Sequence, residues 1–154
     1  MAEIVDVLAQ HLFFVGLDPI TLRILAGCAG YERFEQGAWI MRQGSEADRF
    51  YLVYSGRVSL EFTSPKCGTV ILETLADGDI LGASWMFEPY RCHWDARALE
   101  PTYTLALNAK CLRAICEDDH DIGYELMKRF SSALIKRLQE ARLKCSDIYN
   151  VCAK

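Results

Sequence analysis

No Cys-x-x-Cys pair, His-Glu-x-x-His run, phosphate-binding glycine loop or dinucleotide glycine fingerprint occurs in this chain, and no nucleophile–base pair stands out. Enzyme activity is therefore the least supported function class, and no catalytic residue is assigned. Apolar stretches such as Ile4–Leu8, broken by Asp6, and Leu12–Leu17 stop well short of the roughly 18 residues that a membrane span requires. A charged-then-apolar leader is also missing, because Glu3 and Asp6 interrupt the start. The expected location is the cytoplasm, with no membrane partner. Positive charge is not in excess: the net charge of −4 argues against a large nucleic-acid footprint. Proline is scarce, and all four prolines (Pro19, Pro65, Pro89 and Pro101) fall where the pattern breaks. The seven cysteines, at 28, 67, 92, 111, 116, 145 and 152, are odd in number and irregular in spacing. That spacing predicts neither a disulfide framework nor a structural zinc site. Most are expected to be reduced, several of them small core hydrophobes.

At 154 residues, 51% hydrophobic and 25% charged, the composition is that of one globular domain with a real core. A single domain over residues 1–154 is expected. Residues 1–30 read as entry helices. Ile4, Val5, Leu8, Leu12 and Phe13 lie at helical spacing, and Asp18 with Pro19 signals the cap and first turn of a second helix. This helix carries Leu22, Ile24 and Leu25 and ends between Gly27 and Gly30.

From 31 to 108 the pattern becomes short β-rich runs split by Gly, Pro and Asp at intervals of roughly 8–12 residues. The strand candidates are 31–34, 39–42, 49–55, 57–62, 69–75, 80–81, 95–100 and 103–108. Eight short strands point to a jelly-roll or barrel rather than to alternating β/α units. Helical spacing returns over 109–149. Asn108 is placed to cap a short helix with Leu112 and Ile115, and Asp118 or Asp119 to cap a long one. On that helix Ile122, Leu126 and Phe130 form a core-type face. Leu134, Leu138, Ala141, Cys145 and Ile148 step by alternating fours and threes, like the seam of a two-chain coiled coil.

Residues 40–53, IMRQGSEADRFYLV, with Ser55-Gly56-Arg57-Val58, form a strand–turn–strand signature. It continues through Leu75, Gly78-Asp79, Leu81-Gly82 and Arg97-Ala98-Leu99-Glu100. This pattern resembles the cyclic nucleotide-binding domains of the catabolite activator family, protein kinase A regulatory subunits and gated channels. The resemblance covers roughly residues 10–148. It implies a mainly β fold: a double-stranded β-helix (jelly roll) with N-terminal helices and a long C-terminal helix. It also implies a stand-alone member, because the chain stops where a catabolite-activator-like protein would begin its helix-turn-helix. DNA binding is accordingly not expected.

The same resemblance implies a short cassette that holds a cyclic phosphate. A glycine allows close backbone approach, amides at a helix start donate to the anion, an arginine pairs with the phosphate and a glutamate accepts from the ribose. The cassette falls within Gly78–Ala98, and its candidate ligand-binding residues are Gly82, Ala83, Ser84, Trp85, Arg91, Cys92, His93 and Trp94. Gly82 fits the cassette glycine. Ala83 stands where the ribose glutamate belongs, Cys92 at the phosphate arginine and His93 at the small hydroxyl residue that follows. Arg91 lies next door, but neighbouring side chains on an extended segment face opposite ways.

Trp85, Phe87, Tyr90 and Trp94 are expected to cluster around the cassette. They would fill the nucleotide volume, stack on another planar or apolar ligand, or pack against a partner protein. Asp95 and Arg97 share strand parity and are expected to pair. Cys92 beside His93 raises a metal or haem reading, though no further ligand pair is visible and no metal site is assigned. Cys92 beside Arg91 raises a redox reading, since a nearby cation lowers a thiol's pKa. Lys128, Arg129, Lys136, Arg137, Arg142 and Lys144 give the long helix a basic side.

The function expected from these residues is a small-ligand-sensing regulatory domain that signals through its long helix. The ligand is a cyclic nucleotide (cAMP or cGMP) or another small anion, and the partners are a second copy of the chain and an unidentified downstream protein. The alternative is a degenerate roll that binds no nucleotide and serves as a dimerisation or docking module. A redox or haem sensor is a third reading.

Overall fold

The computed structural model describes residues 3–152, with side chains through residue 147. The chain divides into two compact units that meet in sequence between Ile115 and Cys116. The first holds α1 (Ile4–Gln10), α2 (Pro19–Ala26) and eight strands. These are β1 (Ala29–Phe34), β2 (Trp39–Met41), β3 (Arg49–Ser55), β4 (Val58–Ser64), β5 (Gly68–Leu75), β6 (Ile80–Leu81), β7 (Asp95–Ala98) and β8 (Thr102–Asn108). They form two four-stranded antiparallel sheets, β1-β8-β3-β6 and β2-β7-β4-β5, which is the expected jelly roll. The interior is apolar, with Tyr51 and Val53 of β3 among Val58, Leu60, Leu75, Leu81, Ala96 and Ala106. The strand alternation places these side chains inward.

Local boundaries differ from the sequence reading for identifiable reasons. The first helix ends at Gln10 rather than continuing through Phe13, because His11 turns extended and its ring takes over the next backbone groups. Its Nδ1 accepts from the Phe13 amide at 3.1 Å, and Nε2 lies 3.0 Å from the Val53 carbonyl. The register then shifts, so that Phe13 and Phe14 enter the core and Leu12 faces outward at 75% exposure. α2 starts as expected, with the Asp18 carboxylate accepting from the Thr21 amide at 3.0 Å and Pro19 in the first turn. β1 begins at Ala29, two residues before the expected start, where the ladder to β8 already runs (Ala29 opposite Leu107). α3 (Ala109–Asp118) opens on the Asn108 cap, its Oδ1 accepting from the Cys111 amide at 2.9 Å.

Among the described residues most cysteines are reduced, as expected, but one pair is bonded. Cys28, between α2 and β1, is bonded to Cys111 in the first turn of α3, with 5.8 Å between their Cα atoms. Spacing along the chain could not reveal a pair 83 residues apart. The fold brings them together through the β1–β8 ladder, beside which the Asn108 amide donates to the Cys28 carbonyl at 2.9 Å. Cys67, Cys92, Cys116 and Cys145 are free thiols.

The buried His11 gives the fold a pH dependence with a definite sign. Burial holds its pKa below the usual imidazole value, against smaller opposing effects from the Val53 carbonyl and Asp79. The unfolded chain therefore binds a proton near pH 6.5 that the folded chain refuses. His11 favours the fold above about pH 6.5, and this contribution fades as pH falls toward the lowered folded pKa. Chemical denaturation at pH 7.5 and pH 5 should show stability dropping on acidification, and His11→Gln should flatten that drop. An identical drop in the variant would assign it elsewhere.

The second unit is dominated by α4 (His120–Cys152), 33 residues long or roughly 50 Å. Asp119, one of the two expected caps, accepts from the amides of Asp121 and Ile122. Ile122, Leu126 and Phe130 are buried, while Leu134, Leu138 and Leu143 are 39%, 50% and 67% exposed. Of the expected seam, Ala141 and Cys145 are also exposed, and the Ile148 side chain lies outside the described residues. Part of the basic side is already compensated: Lys128 and Arg129 pair with Glu125 at 3.2 and 3.7 Å. No helix among the described residues is long and apolar enough to cross a membrane.

Candidate functional site

The cassette region begins at a turn whose polar residues serve the backbone. Asp77 accepts from the Gly56 amide at 2.9 Å and Asp79 from the Ala76 amide at 2.8 Å. Val53 and the turn exchange two further bonds, Gly78 N–H to Val53 O and Val53 N–H to Asp79 O. These contacts deliver β6 against β3, with Tyr51 opposite Leu81. Gly82 follows at φ +93° and ψ 39°, a left-handed conformation, and a Cβ there would sit 2.8 Å from the Arg49 carbonyl oxygen. Only glycine meets both demands without strain.

From Gly82 the chain enters a 3-10 turn over Ala83–Met86. Trp85 is fully buried, its ring 6.3 Å from Phe50 and continuous with Phe13 and Phe14 of the entry segment. Arg113 of α3 donates to the Trp85 carbonyl, and its guanidinium lies 4.1 Å over the Tyr90 ring. The far limb of the cassette is zipped to the β2–β3 turn. Ala47 N–H binds Tyr90 O at 2.7 Å, Gly44 N–H binds Cys92 O at 2.8 Å and Cys92 N–H binds Ser45 O at 2.9 Å. Glu46 and Arg91 form an isolated antiparallel bridge there.

The expected alternation of Arg91 and Cys92 is what the structure shows. Arg91 faces solvent, with one guanidinium N–H directed at the Gly44 carbonyl at 3.5 Å. Cys92 turns inward and lines a cavity of about 410 Å³ with Trp39, Met41, Arg42, Glu46, Asp48, Arg49 and Tyr51 among others. None of the other cassette candidates (Gly82, Ala83, Ser84, Trp85, Arg91, His93 and Trp94) lines it. Burial, and then Asp48, push the Cys92 thiol up, so the cation beside it in sequence does not make it a reactive thiolate. Burial, and then Glu32, likewise push the Tyr51 hydroxyl up. Both groups stand in the cavity wall as neutral donors at neutral pH.

Both arginines that line this cavity are paired. Arg42 lies 3.9 Å over the Trp39 ring and 3.5 Å from Asp95, which also accepts from the Gln43 amide at 2.8 Å. Arg49 pairs with Glu32. The expected Asp95–Arg97 pair is not formed. Arg97 instead makes two bonds to Glu61 across the β4–β7 ladder, at 2.8 and 3.0 Å, and Ser59 adds a third at 2.8 Å. The cross-strand register sets these partners, and parity within one strand could not reveal it. The expected aromatic cluster is also dispersed: Trp85 is in the core, Tyr90 is under Arg113, Trp94 sits 6.0 Å from Phe62 at 44% exposure, and Phe87 is 61% exposed.

Arg113, Trp39, Arg42 and Glu61 were not singled out from sequence. Glu61 carried one usable signal: in Val58-Ser59-Leu60-Glu61 it shares a face with Ser59, opposite the core residues. Among the described residues no three His, Cys, Asp or Glu side chains are grouped to hold a metal ion. The residues a cyclic nucleotide would require do not fit that ligand in the usual way. The 3-10 turn after Gly82 carries no acid at Ala83, and the inward-facing position at Cys92 carries no cation.

The comparisons with known proteins agree with this architecture. Residues 31–119 match the cyclic nucleotide-binding domain model. A CRP-like cAMP-activated global transcriptional regulator from Mycobacterium tuberculosis is 22% identical over 143 residues, 93% of this chain but 62% of that protein. The chain thus spans less than two thirds of the curated relatives it matches. A crystal structure of a provisionally assigned cyclic nucleotide-binding protein from Geobacter metallireducens is similar at a TM-score of 0.80 and 28% identity. It covers 90% of this chain and 99% of that one. The catabolite activator protein of Thermus thermophilus follows at 0.70 and 25%, covering 90% of this chain and 63% of that one. A regulatory subunit of a cAMP-independent protein kinase A from Trypanosoma brucei shares the fold at 0.69 and 21%, covering 90% and 50%. On the match over residues 31–119, which the two sheets and the glycine-gated turn bear out, the chain belongs to the cyclic nucleotide-binding domain family.

Proposed function

We propose that residues 1–154 act as one non-catalytic regulatory domain that senses a small ligand at the cassette and signals through α4. One observation carries this reading. The cassette is held by contacts from three separate elements (β3, the 44–47 turn and α3), while the side chains that would fix a cyclic phosphate and ribose are absent from it. The supports are the Arg49 carbonyl against Gly82, the 44–47 turn against Tyr90 and Cys92, Phe50 against Trp85, and Arg113 over Tyr90. Such support keeps a loop in a shape for binding, and the neutral Tyr51 and Cys92 donors beside Trp39 and Arg42 offer an alternative polar shell. The ligand is a small anion or nucleotide for which cAMP and cGMP are poor substitutes.

A thermal-shift screen of cyclic nucleotides, other nucleotides and small anions tests the reading. A true ligand at a hundred times its Kd stabilises by about 2.7 kcal/mol, which raises Tm by roughly 5–10 °C for a chain of this size. No shift with any member of the panel at millimolar concentration would refute ligand sensing.

A second reading, a docking or dimerisation module, is favoured by the exposed Leu134, Leu138, Ala141 and Cys145 on α4. Apolar seam positions of this spacing pair two helices. Leu138→Glu should convert a dimer to a monomer in light scattering, whereas an unchanged mass would remove the seam from the account.

A further inference from the structure

We infer that the Cys28–Cys111 bond is a reversible thiol–disulfide switch that sets how firmly α3 holds the cassette, driven by a low-molecular-weight thiol/disulfide couple. The argument is one of position. Cys111 and Arg113 share the first two turns of α3. Arg113 is the residue that binds the Trp85 carbonyl and covers the Tyr90 ring. Cys28 sits at the α2–β1 junction, immediately before the ladder that anchors β1 to β8. The bond therefore ties the start of α3 to the rigid sheet, two residues from the side chain that clamps the ligand loop. Without it, the start of α3 keeps its chain continuity with β8, the Asn108 cap, the Ala109–Asp48 bond and the Cys28 carbonyl contact, but loses its cross-link to the α2–β1 junction.

The chemistry suits exchange. Cys28 is buried and Cys111 half-buried, so Cys111 is the sulfur within reach of a reagent. In the open form it lies in the first turn of a ten-residue helix, where backbone amides favour the attacking thiolate. The Cys111 thiolate attacks one sulfur of RSSR, forming a mixed disulfide and expelling RS⁻, which takes up a proton. The Cys28 thiol, losing its proton, then attacks the Cys111 sulfur and expels the second RS⁻. The protein loses two electrons and two protons, and RSSR becomes two RSH. Reduction by two RSH is the exact reverse.

The switch concerns the cassette of the proposed function, but it can be read without any ligand, so its failure and that of ligand sensing are distinguishable. The experiment equilibrates purified protein in oxidised or reduced glutathione. Peptide mapping after thiol alkylation reads the bond, and amide hydrogen exchange reads the cassette. Reduction is expected to speed exchange over residues 85–92 at least tenfold and to leave β4 and β5 unchanged. Arg113→Met, kept oxidised, should show the same fast cassette and no further response to glutathione. Cys28→Ser should match the reduced protein. If that variant does not fold, chemically reduced wild type supplies the comparison. The proposal is overturned by cassette exchange that ignores the redox state, by equal loosening of both sheets, or by a bond that fails to open or reform across the glutathione range.

Discussion

Replacing Arg97 by Ala is expected to destabilise the chain by about 3–5 kcal/mol, among the largest losses available from one side chain. Glu61 is 1% exposed on β4, and its carboxylate is held by two bonds from Arg97 and one from Ser59. With Arg97 gone, the carboxylate loses both the cation that covers it, itself 38% exposed, and two of its three bonds, leaving one hydroxyl. The cost is mainly that of an uncompensated buried charge, which exceeds the net value of the pair itself. The Trp39 ring, which lies under both Arg97 and Arg42, also loses one of its two cations, a smaller term. Against a total stability of about 5–15 kcal/mol this is a substantial fraction. Urea denaturation should show the midpoint falling by roughly 2 M with an unchanged slope. The double variant Arg97→Met with Glu61→Leu should recover most of the loss, because it removes both charges and leaves only the Ser59 hydroxyl to find another acceptor. If the double variant is as unstable as the single, the loss lies in packing rather than in an orphaned charge.

Gly82→Ala carries the second large effect and acts at the site itself. The left-handed backbone costs a non-glycine residue about 1–2 kcal/mol. The new Cβ would also sit 2.8 Å from the Arg49 carbonyl oxygen, a backbone atom that cannot swing aside. Together these should cost roughly 2–4 kcal/mol and push the 3-10 turn away from β3. Gly44→Ala is the control. Its φ is +84°, but its Cβ would meet nothing within 4 Å, so only the conformational part applies. Equal losses in the two variants would mean that close approach at Gly82 contributes nothing.

How much was legible in the sequence depended on whether the cause of a feature lies nearby in the chain. The jelly roll was legible because period-two strands and their Gly, Pro and Asp turns are local signals. So were the Asp18, Asn108 and Asp119 caps, each bonding an amide two or three residues on. The position of Gly82 and the opposite facing of Arg91 and Cys92 followed from motif and alternation. The network around the site was not legible, because it is built across strands. Glu61 meets Arg97 through the β4–β7 register, and Cys28 meets Cys111 through the β1–β8 ladder. Arg113 reaches back 28 residues to the Trp85 carbonyl. The aromatic residues misled for a related reason. Four rings within ten residues look like a cluster, yet a 3-10 turn followed by a positive-φ Tyr90 (φ 56°) sends them in different directions.

The central claim is that the cassette keeps its architecture while lacking the anchors for cyclic phosphate and ribose. Calorimetric titration of the purified chain with cAMP tests it most directly. Loss of one charged partner costs about 2–5 kcal/mol. Since about 1.4 kcal/mol is tenfold in Kd, losing both anchors should weaken a micromolar ligand by about a thousandfold or more, to millimolar at best. The account predicts no saturable heat at submillimolar cAMP. A stoichiometric isotherm with micromolar Kd would contradict it, and would mean that groups such as Arg42, Arg49 or Arg91 replace the missing anchors.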